Sequence, residues 1–392
     1  MDFSFSDEQD ALRSVAEQVF AGGTPVARLK EIEAGDERVD RVLWRKLADA
    51  NLLGVAIAEA HGGIGFGMVE LAIVAEQQGR HVAPVPLAAT LGRAALPIAQ
   101  FGSEAQQAHW LPRIADGSAI LTGAYAERGA NAATARSSVR ATRRGDGWAL
   151  TGTKIAVPAM NVADAVLVPA QHDDGSLTVF VVDAAAPGVQ RADAITTNRE
   201  KHATVTFDAV GVDADAVLGT VGQGREVLAW TLPRLSVLHS AIALGACETA
   251  LAMAAAYTSQ RVQFGRPLST NQGVALRAAD AYIDIDAMRV TLWQAAWRID
   301  AGLDAAMQVE VAQYWASEAG QRVVHATQHL HGGMGADVDY PVHRTFLWVK
   351  QFENLLGGGS QHLARLGARI AAEAKAAAAG AGAAGQAEVP VR

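Results

Sequence analysis

The sequence predicts a mainly α-helical protein with a β-rich middle. Three observations carry that expectation: apolar residues at helical spacing early in the chain, short strand-like runs around Gly145-Asp146-Gly147 and beyond, and long apolar segments with few breakers from about residue 226. The organisation expected is a helical domain over 1–120, a β-domain over 121–225, a helical bundle over 226–375 and an Ala/Gly-rich tail over 376–392 that lacks order.

The first helix is expected from residue 4 onward. Ser6 can cap it, Asp7 and Glu8 complement its dipole, and Leu12, Val15 and Val19 share a face. A second runs through Val42, Leu43 and Leu47 toward Gly54, and a third from Val69 to Gly79. In the middle, two strands should flank Gly145-Asp146-Gly147, with further strands at AVLVPA, LTVFVVD and ATVTFDAV. Gly222-Gln223-Gly224 then returns the chain to helices. In one of these, Leu276, Ile283, Val290 and Trp297 recur every seven residues, a spacing that predicts a core stripe. Pro267 separates two of the helices, and Gly332, Gly333 and Gly335 separate two more.

Half of the 392 residues are apolar, enough for a large core. A net charge of -8 argues against general nucleic-acid binding, which needs a positive stripe. The N-terminus lacks the basic start and apolar run of a secretory signal, and no stretch approaches about 20 uncharged apolar residues, so membrane insertion is not expected and the location expected is cytoplasmic. The single cysteine, Cys247, is expected to be a buried thiol.

Two segments stand out for chemistry. RVQFGRPLSTNQ, from Arg261 to Gln272, reads as a helix end, a turn and a new helix start, where Arg261 and Arg266 stand beside a helix N-terminus suited to a diphosphate; a plain connector is the alternative. QHLHGGMGADVDYP carries His329 and His331 beside glycines that either shape the turn or let a backbone approach a cofactor. Two histidines with no third ligand nearby do not make a metal site.

In this order and context, these segments resemble the acyl-CoA dehydrogenase family over about residues 1–370. The resemblance implies an N-terminal α-helical domain, a middle β-barrel domain and a C-terminal four-helix bundle. It implies FAD as cofactor, with Arg261, Phe264 and Gln272 contacting the diphosphate and adenine end of an FAD whose flavin ring lies in the neighbouring subunit. His329, Gly332, Gly333 and Gly335 match the family's second turn toward that FAD, with His329 where Gln is usual.

Other family positions are altered. The hydroxyl motif that holds the flavin reads AERGANAA, with Ala126 and Ala132 at its Thr and Ser positions; the strand that walls the ring reads TKIAVPAM, with Ala156 and Pro158 at the Trp and Thr positions. The reaction needs a carboxylate base, and Gly357 occupies the usual Glu position. The alternative position on an earlier helix falls on Leu235 or Pro233, so no catalytic residue is assigned. Glu353, His239 and His331 are weaker candidates for a base, and Arg234 for a contact to CoA phosphates.

The resemblance therefore points to the chain without the base in a heteromeric acyl-CoA dehydrogenase, a heterotetramer in known pairs. It implies an acyl-CoA substrate of the fatty-acid or steroid side-chain kind, a homologous subunit as partner and an electron-transfer flavoprotein as electron acceptor. A self-sufficient homo-oligomer with an unconventional base and a non-catalytic binding or scaffold subunit remain the alternatives.

Overall fold

The computed structural model describes residues 4–129 and 136–385. Ahead of the strands lie α1 (Asp7–Gly23), α2 (Val26–Ala34), α3 (Arg41–Asp49), α4 (Met68–Arg80), a π-helical turn (Ala88–Ala95), α5 (Leu96–Phe101) and α6 (Glu104–Ala115). Ser6 caps α1 reciprocally: its hydroxyl accepts from Gln9 N at 3.2 Å, and the Gln9 side chain accepts from Ser6 N at 3.0 Å. The buried face of α1 is Leu12, Ala16 and Phe20, a four-residue step, whereas Val15 faces out. The expected face is thus rotated, because the large Phe20 ring takes the inward position. The unanticipated α2 has only Leu29 fully buried.

The strands are β1 (Leu121–Gly123), β2 (Arg140–Arg144), β3 (Gly147–Pro158), β4 (Ala165–Gln171), β5 (Leu177–Asp183), β6 (Val189–Ile195), β7 (Lys201–Val212) and β8 (Val217–Leu218). They form one mixed sheet in the order β6-β7-β3-β2-β4-β5-β8, with β1 pairing in parallel with β4. Among the described residues no ladder joins β6 to β8. The sheet encloses its own core of Val139, Leu150, Val168, Phe180, Val205 and Phe207. β2 and β3 are joined at Gly145-Asp146, as the turn signal implies. The edge strand β6 escaped notice because six of its seven residues are exposed and leave no alternating pattern.

Helices resume with α7 (Gly224–Gln260), α8 (Gln272–Asp300), α9 (Ala306–Leu330), α10 (Val342–Phe352) and α11 (Gly359–Gly385). α7 is long and apolar enough to cross a membrane by composition, against the expectation from sequence, but 72% of its most apolar window is buried within the protein, the mark of a core helix. It lies directly against α4. A Cβ on Gly79 would meet Ile242 O at 2.0 Å, and one on Gly245 would meet Glu76 O at the same distance, so two glycines permit the backbone crossing. Cys247 is buried here, its thiol pushed up by loss of solvent.

Two expectations need correction. The core face of α8 is Ala281, Ile285, Met288, Leu292, Ala295 and Ala296. Leu276, Ile283, Val290 and Trp297 are instead between 43% and 65% exposed. Seven-residue spacing identifies a stripe, but not whether the surface facing it belongs to the same chain. Part of the tail is helical: α11 continues past 376 to Gly385, since alanine is the strongest helix former, and residues 386–392 lie outside the described residues.

Candidate functional site

Ala126, Ala156 and Gly357, from three separate segments, line one pocket together with Arg93, Glu127, Leu355 and Gln361. Its volume is about 470 Å³. Ala126 sits beside β3, where Ile155 N donates to its carbonyl at 3.3 Å. Ala156 lies where the β3–β7 register shifts between Lys154 and Val157, at φ +49°. Pro158 O accepts from the Thr122 hydroxyl at 2.7 Å, so this position serves the backbone. Ala132 lies outside the described residues.

Gly357 is buried, with φ +106°. A Cβ there would stand 2.6 Å from Gln361 Oε1, and L side chains rarely adopt this backbone conformation. The position therefore lacks both a carboxylate and a backbone that would readily carry one.

The other groups nearby are engaged with one another. Lys154, 1% exposed, pairs with Glu127, 7% exposed, and also donates to Ser137 Oγ at 2.8 Å. Burial pushes the lysine down while the Glu127 carboxylate acts against that shift. The Ser138 hydroxyl donates to Glu127, and the Ser137 hydroxyl donates to Pro169 O at 2.8 Å. These serine hydroxyls hold the protein to itself.

The secondary base candidates fare no better. Glu353 is ion-paired with Lys350 at 2.5 Å, and Leu235 is fully buried hydrocarbon. Pro233 faces a different cleft with Arg225, Glu310, Arg365 and Arg369. The Arg234 guanidinium stacks 3.6 Å from the Trp230 ring centroid. His331 is buried, with Nδ1 2.7 Å from Thr327 O and its ring stacked on Tyr257.

The Arg261–Gln272 segment lies elsewhere. α7 ends at Gln260, and Val262–Gln263 pairs with Arg266–Pro267 as a two-stranded hairpin whose tip is Phe264-Gly265. Both tip residues have positive φ, +54° and +77°, as a type I′ turn requires. For phenylalanine that costs about 1–2 kcal/mol. Its ring is nonetheless 97% exposed, so packing within this chain does not compensate. Arg266 donates to Asn271 Oδ1 at 2.6 Å and stiffens the turn into α8. Arg261 and Gln272 are exposed, and no acidic residue occupies the first turn of the 29-residue α8, leaving its N-terminal field unneutralised.

α9 returns antiparallel to α8 and ends beside it. Arg277 on α8 meets Nδ1 of His329 in the last turn of α9, which places the second segment at the same end of the bundle as the first. Gly332 adopts φ +58°, Gly332 and Gly333 are exposed, and Gly335 is buried where a Cβ would meet Gln328 O at 2.4 Å. None of Arg261, Phe264, Gln272, His329, Gly332 or Gly333 lines the Gly357 pocket. Arg277 and Arg93 were not anticipated; each acquires its significance only across an interhelical or interdomain contact.

Residues 6–118 match the acyl-CoA dehydrogenase N-terminal domain, and residues 222–379 match the acyl-CoA dehydrogenase C-terminal domain. The chain belongs to the acyl-CoA dehydrogenase family. It is 37% identical over 379 residues to acyl-CoA dehydrogenase FadE27 of Mycobacterium tuberculosis, covering 95% of this chain and 99% of that protein. Among solved structures it resembles a variant of the Tcur3481-Tcur3483 steroid ACAD, with TM-score 0.88, 45% identity and coverage of 94% and 99% of the two chains. It also resembles the ChsE4-ChsE5 complex from M. tuberculosis, with TM-score 0.89, 38% identity and coverage of 95% and 99%. Acyl-CoA dehydrogenases are FAD-dependent oxidoreductases acting on CH–CH groups. Among the described residues the Gly357 pocket fits a flavin ring poorly: Ala126 and Ala156 offer methyl groups, and the neighbouring Ser137, Ser138 and Lys154 are bonded elsewhere.

Proposed function

We propose that this chain is the subunit lacking the base in a heteromeric acyl-CoA dehydrogenase, working with a homologous subunit that holds the flavin ring and supplies the carboxylate. One observation carries the reading: Gly357 shares its pocket with Ala126 and Ala156, while Arg261, Phe264 and Gln272 stand exposed at the far end of α7 and the start of α8. The inward site has lost its chemistry, and the outward one keeps charge, an aromatic face and a helix N-terminus.

In this assembly Arg261 would hold diphosphate oxygens of the partner's FAD, with Gln272 supplying a polar contact and Phe264 an aromatic one. His329, oriented by Arg277, and the Gly332-Gly333 turn approach the same cofactor. FAD, when bound, supplies the acceptor for the hydride leaving the β carbon of the thioester. The proton from the α carbon goes to a carboxylate of the partner, since the turn at Gly357 provides none.

The exposed stripe Leu276, Ile283, Val290 and Trp297 on α8 supports association, because it offers an apolar face beside the hairpin. The relatives named for a steroid enzyme and for a two-component complex favour bulky CoA esters of the steroid side-chain kind as substrate. An electron-transfer flavoprotein is the expected acceptor of the reducing equivalents, and the cytoplasm the expected place.

The test is coexpression. This chain purified alone should be nearly colourless, whereas copurification with a homologue bearing the intact hydroxyl motif and a Glu at the base position should give a yellow, active complex. Stoichiometric FAD and turnover in the isolated chain would reject the reading.

A further inference from the structure

The inner wall of the Gly357 pocket is shared. Arg93 and Leu355 line that pocket and also a smaller cavity on their other side, where the three domains meet. The smaller space measures about 50 Å³, room for no more than a few waters, against about 470 Å³ on the Gly357 side. Val85, Ala89, Ile242 and Phe352 supply hydrocarbon to its lining. The two spaces are parts of one region, divided by a guanidinium and a leucine.

Arg93 is buried on the π-helical turn, a widened coil found mostly at functional sites. Gly92 beside it lets the turn lie on α7: a Cβ there would stand 2.7 Å from Leu238 Cδ1 and 3.0 Å from Leu235 Cδ1. The Tyr125 hydroxyl donates to Arg93 O at 2.5 Å and fixes the backbone from the end of β1. The guanidinium itself is poorly served. Nη1 reaches Gly123 O only at 3.5 Å, Cζ stands 5.7 Å from the Tyr125 ring centroid, and among the described residues no carboxylate pairs with it. Burial pushes it down to about 10, which leaves it cationic at neutral pH. An apolar side chain here would avoid the cost of a buried, unpaired charge, so stability does not account for an arginine.

We infer that Arg93 bars hydrocarbon from the inner end of the Gly357 pocket, which confines CoA thioesters with long or bulky acyl groups to the partner's site. The inference rests on the division of labour proposed above. A CoA nucleotide is too large for a space of about 470 Å³ and stays at its mouth, so an acyl group in this pocket points inward past Gly357, toward Arg93 and Leu355. A short acyl group ends before that wall. A longer one meets a cation that hydrocarbon cannot solvate, and displacing it strips away the few contacts it has. Arg93 thus determines specificity by exclusion.

Calorimetric titration of the full-length chain with butyryl-CoA and decanoyl-CoA tests the inference. In the unaltered chain decanoyl-CoA should bind no more tightly than butyryl-CoA, because its added methylenes find no apolar space. Arg93→Ala joins the two spaces, so decanoyl-CoA should gain roughly tenfold or more in affinity while butyryl-CoA changes little. Arg93→Met removes the charge and keeps a flexible side chain that an acyl group can displace. It should show a smaller gain of the same kind, and it carries the test should Arg93→Ala fail to fold. A gain confined to the longer ester is a readout that a merely structural role for Arg93 would not give. No gain for decanoyl-CoA in a folded variant, or equal gains for both esters, would overturn the assignment. FAD content of the isolated chain, measured in parallel, bears on the heteromeric reading and not on this length dependence, so the two can fail separately.

Discussion

Gly357 and Gln361 approach so closely that a Cβ on the former would lie 2.6 Å from Oε1 of the latter. With φ at +106°, replacing this glycine by the carboxylate that dehydrogenation requires involves a strained backbone, together with a shift of the Gln361 side chain. Gly357→Glu should therefore destabilise the chain by about 1–3 kcal/mol and confer no turnover on it in isolation. Urea unfolding and a dye-reduction assay with an acyl-CoA check both halves. An active, undiminished variant would show that only the side chain was missing.

The Lys154–Glu127 pair is buried, so removing one partner strands the other. Lys154→Met should cost about 3–5 kcal/mol, and Lys154→Met combined with Glu127→Leu should recover most of that loss. A double-mutant cycle by chemical denaturation measures the coupling. Additive single effects would contradict the pairing described here.

His202 and Glu200 make opposite contributions to stability against pH. Burial lowers His202 from 6.5 to about 4, so its contribution is present above pH 6.5 and is lost as pH falls toward 4, where the unfolded chain binds the proton first. Burial raises Glu200 from 4.5 to about 7, so its contribution is present below pH 4.5 and is lost as pH rises through 7. Between pH 5 and 6.5, His202→Asn should make stability rise less steeply with pH, and Glu200→Gln should make it rise more steeply, each by on the order of 1–3 kcal/mol over the full window. Unfolding midpoints measured across that range should separate in these directions.

The α8 stripe is expected to be covered in the assembly. Ile283→Asp, at a position exposed in the single chain, should leave its circular dichroism and melting temperature nearly unchanged while weakening association by roughly 2 kcal/mol or more. Light scattering of the coexpressed complex measures this directly. An unchanged complex would remove the stripe from the interface.

That stripe also shows where the sequence stopped being legible. Repeat spacing located Leu276, Ile283, Val290 and Trp297 on one face of one helix, but the inward face is set by Ala281, Ala295 and Ala296, whose small side chains admit neighbouring helices. Helices and central strands were readable because periodicity and turn residues are local signals. The edge strand β6 and the short α2 gave little local pattern. At the site, Ala126, Ala156 and Gly357 were identifiable one segment at a time, and their shared pocket depends on folding. Arg93, Glu127 and Arg277 were not identified as site residues, since the charge environment of each is decided by residues distant in sequence.

The most direct measurement is the FAD content and affinity of the coexpressed complex with and without Arg261→Ala in this chain. Arg261 is exposed at the C-terminal end of α7, so its removal should leave the fold intact. If the residue grips a cofactor seated in the partner, FAD affinity should fall roughly tenfold or more, as loss of a charge-assisted phosphate contact implies, while the isolated chain carries no flavin in either form. FAD bound stoichiometrically by the isolated chain, or an unchanged affinity in the Arg261→Ala complex, would contradict the account.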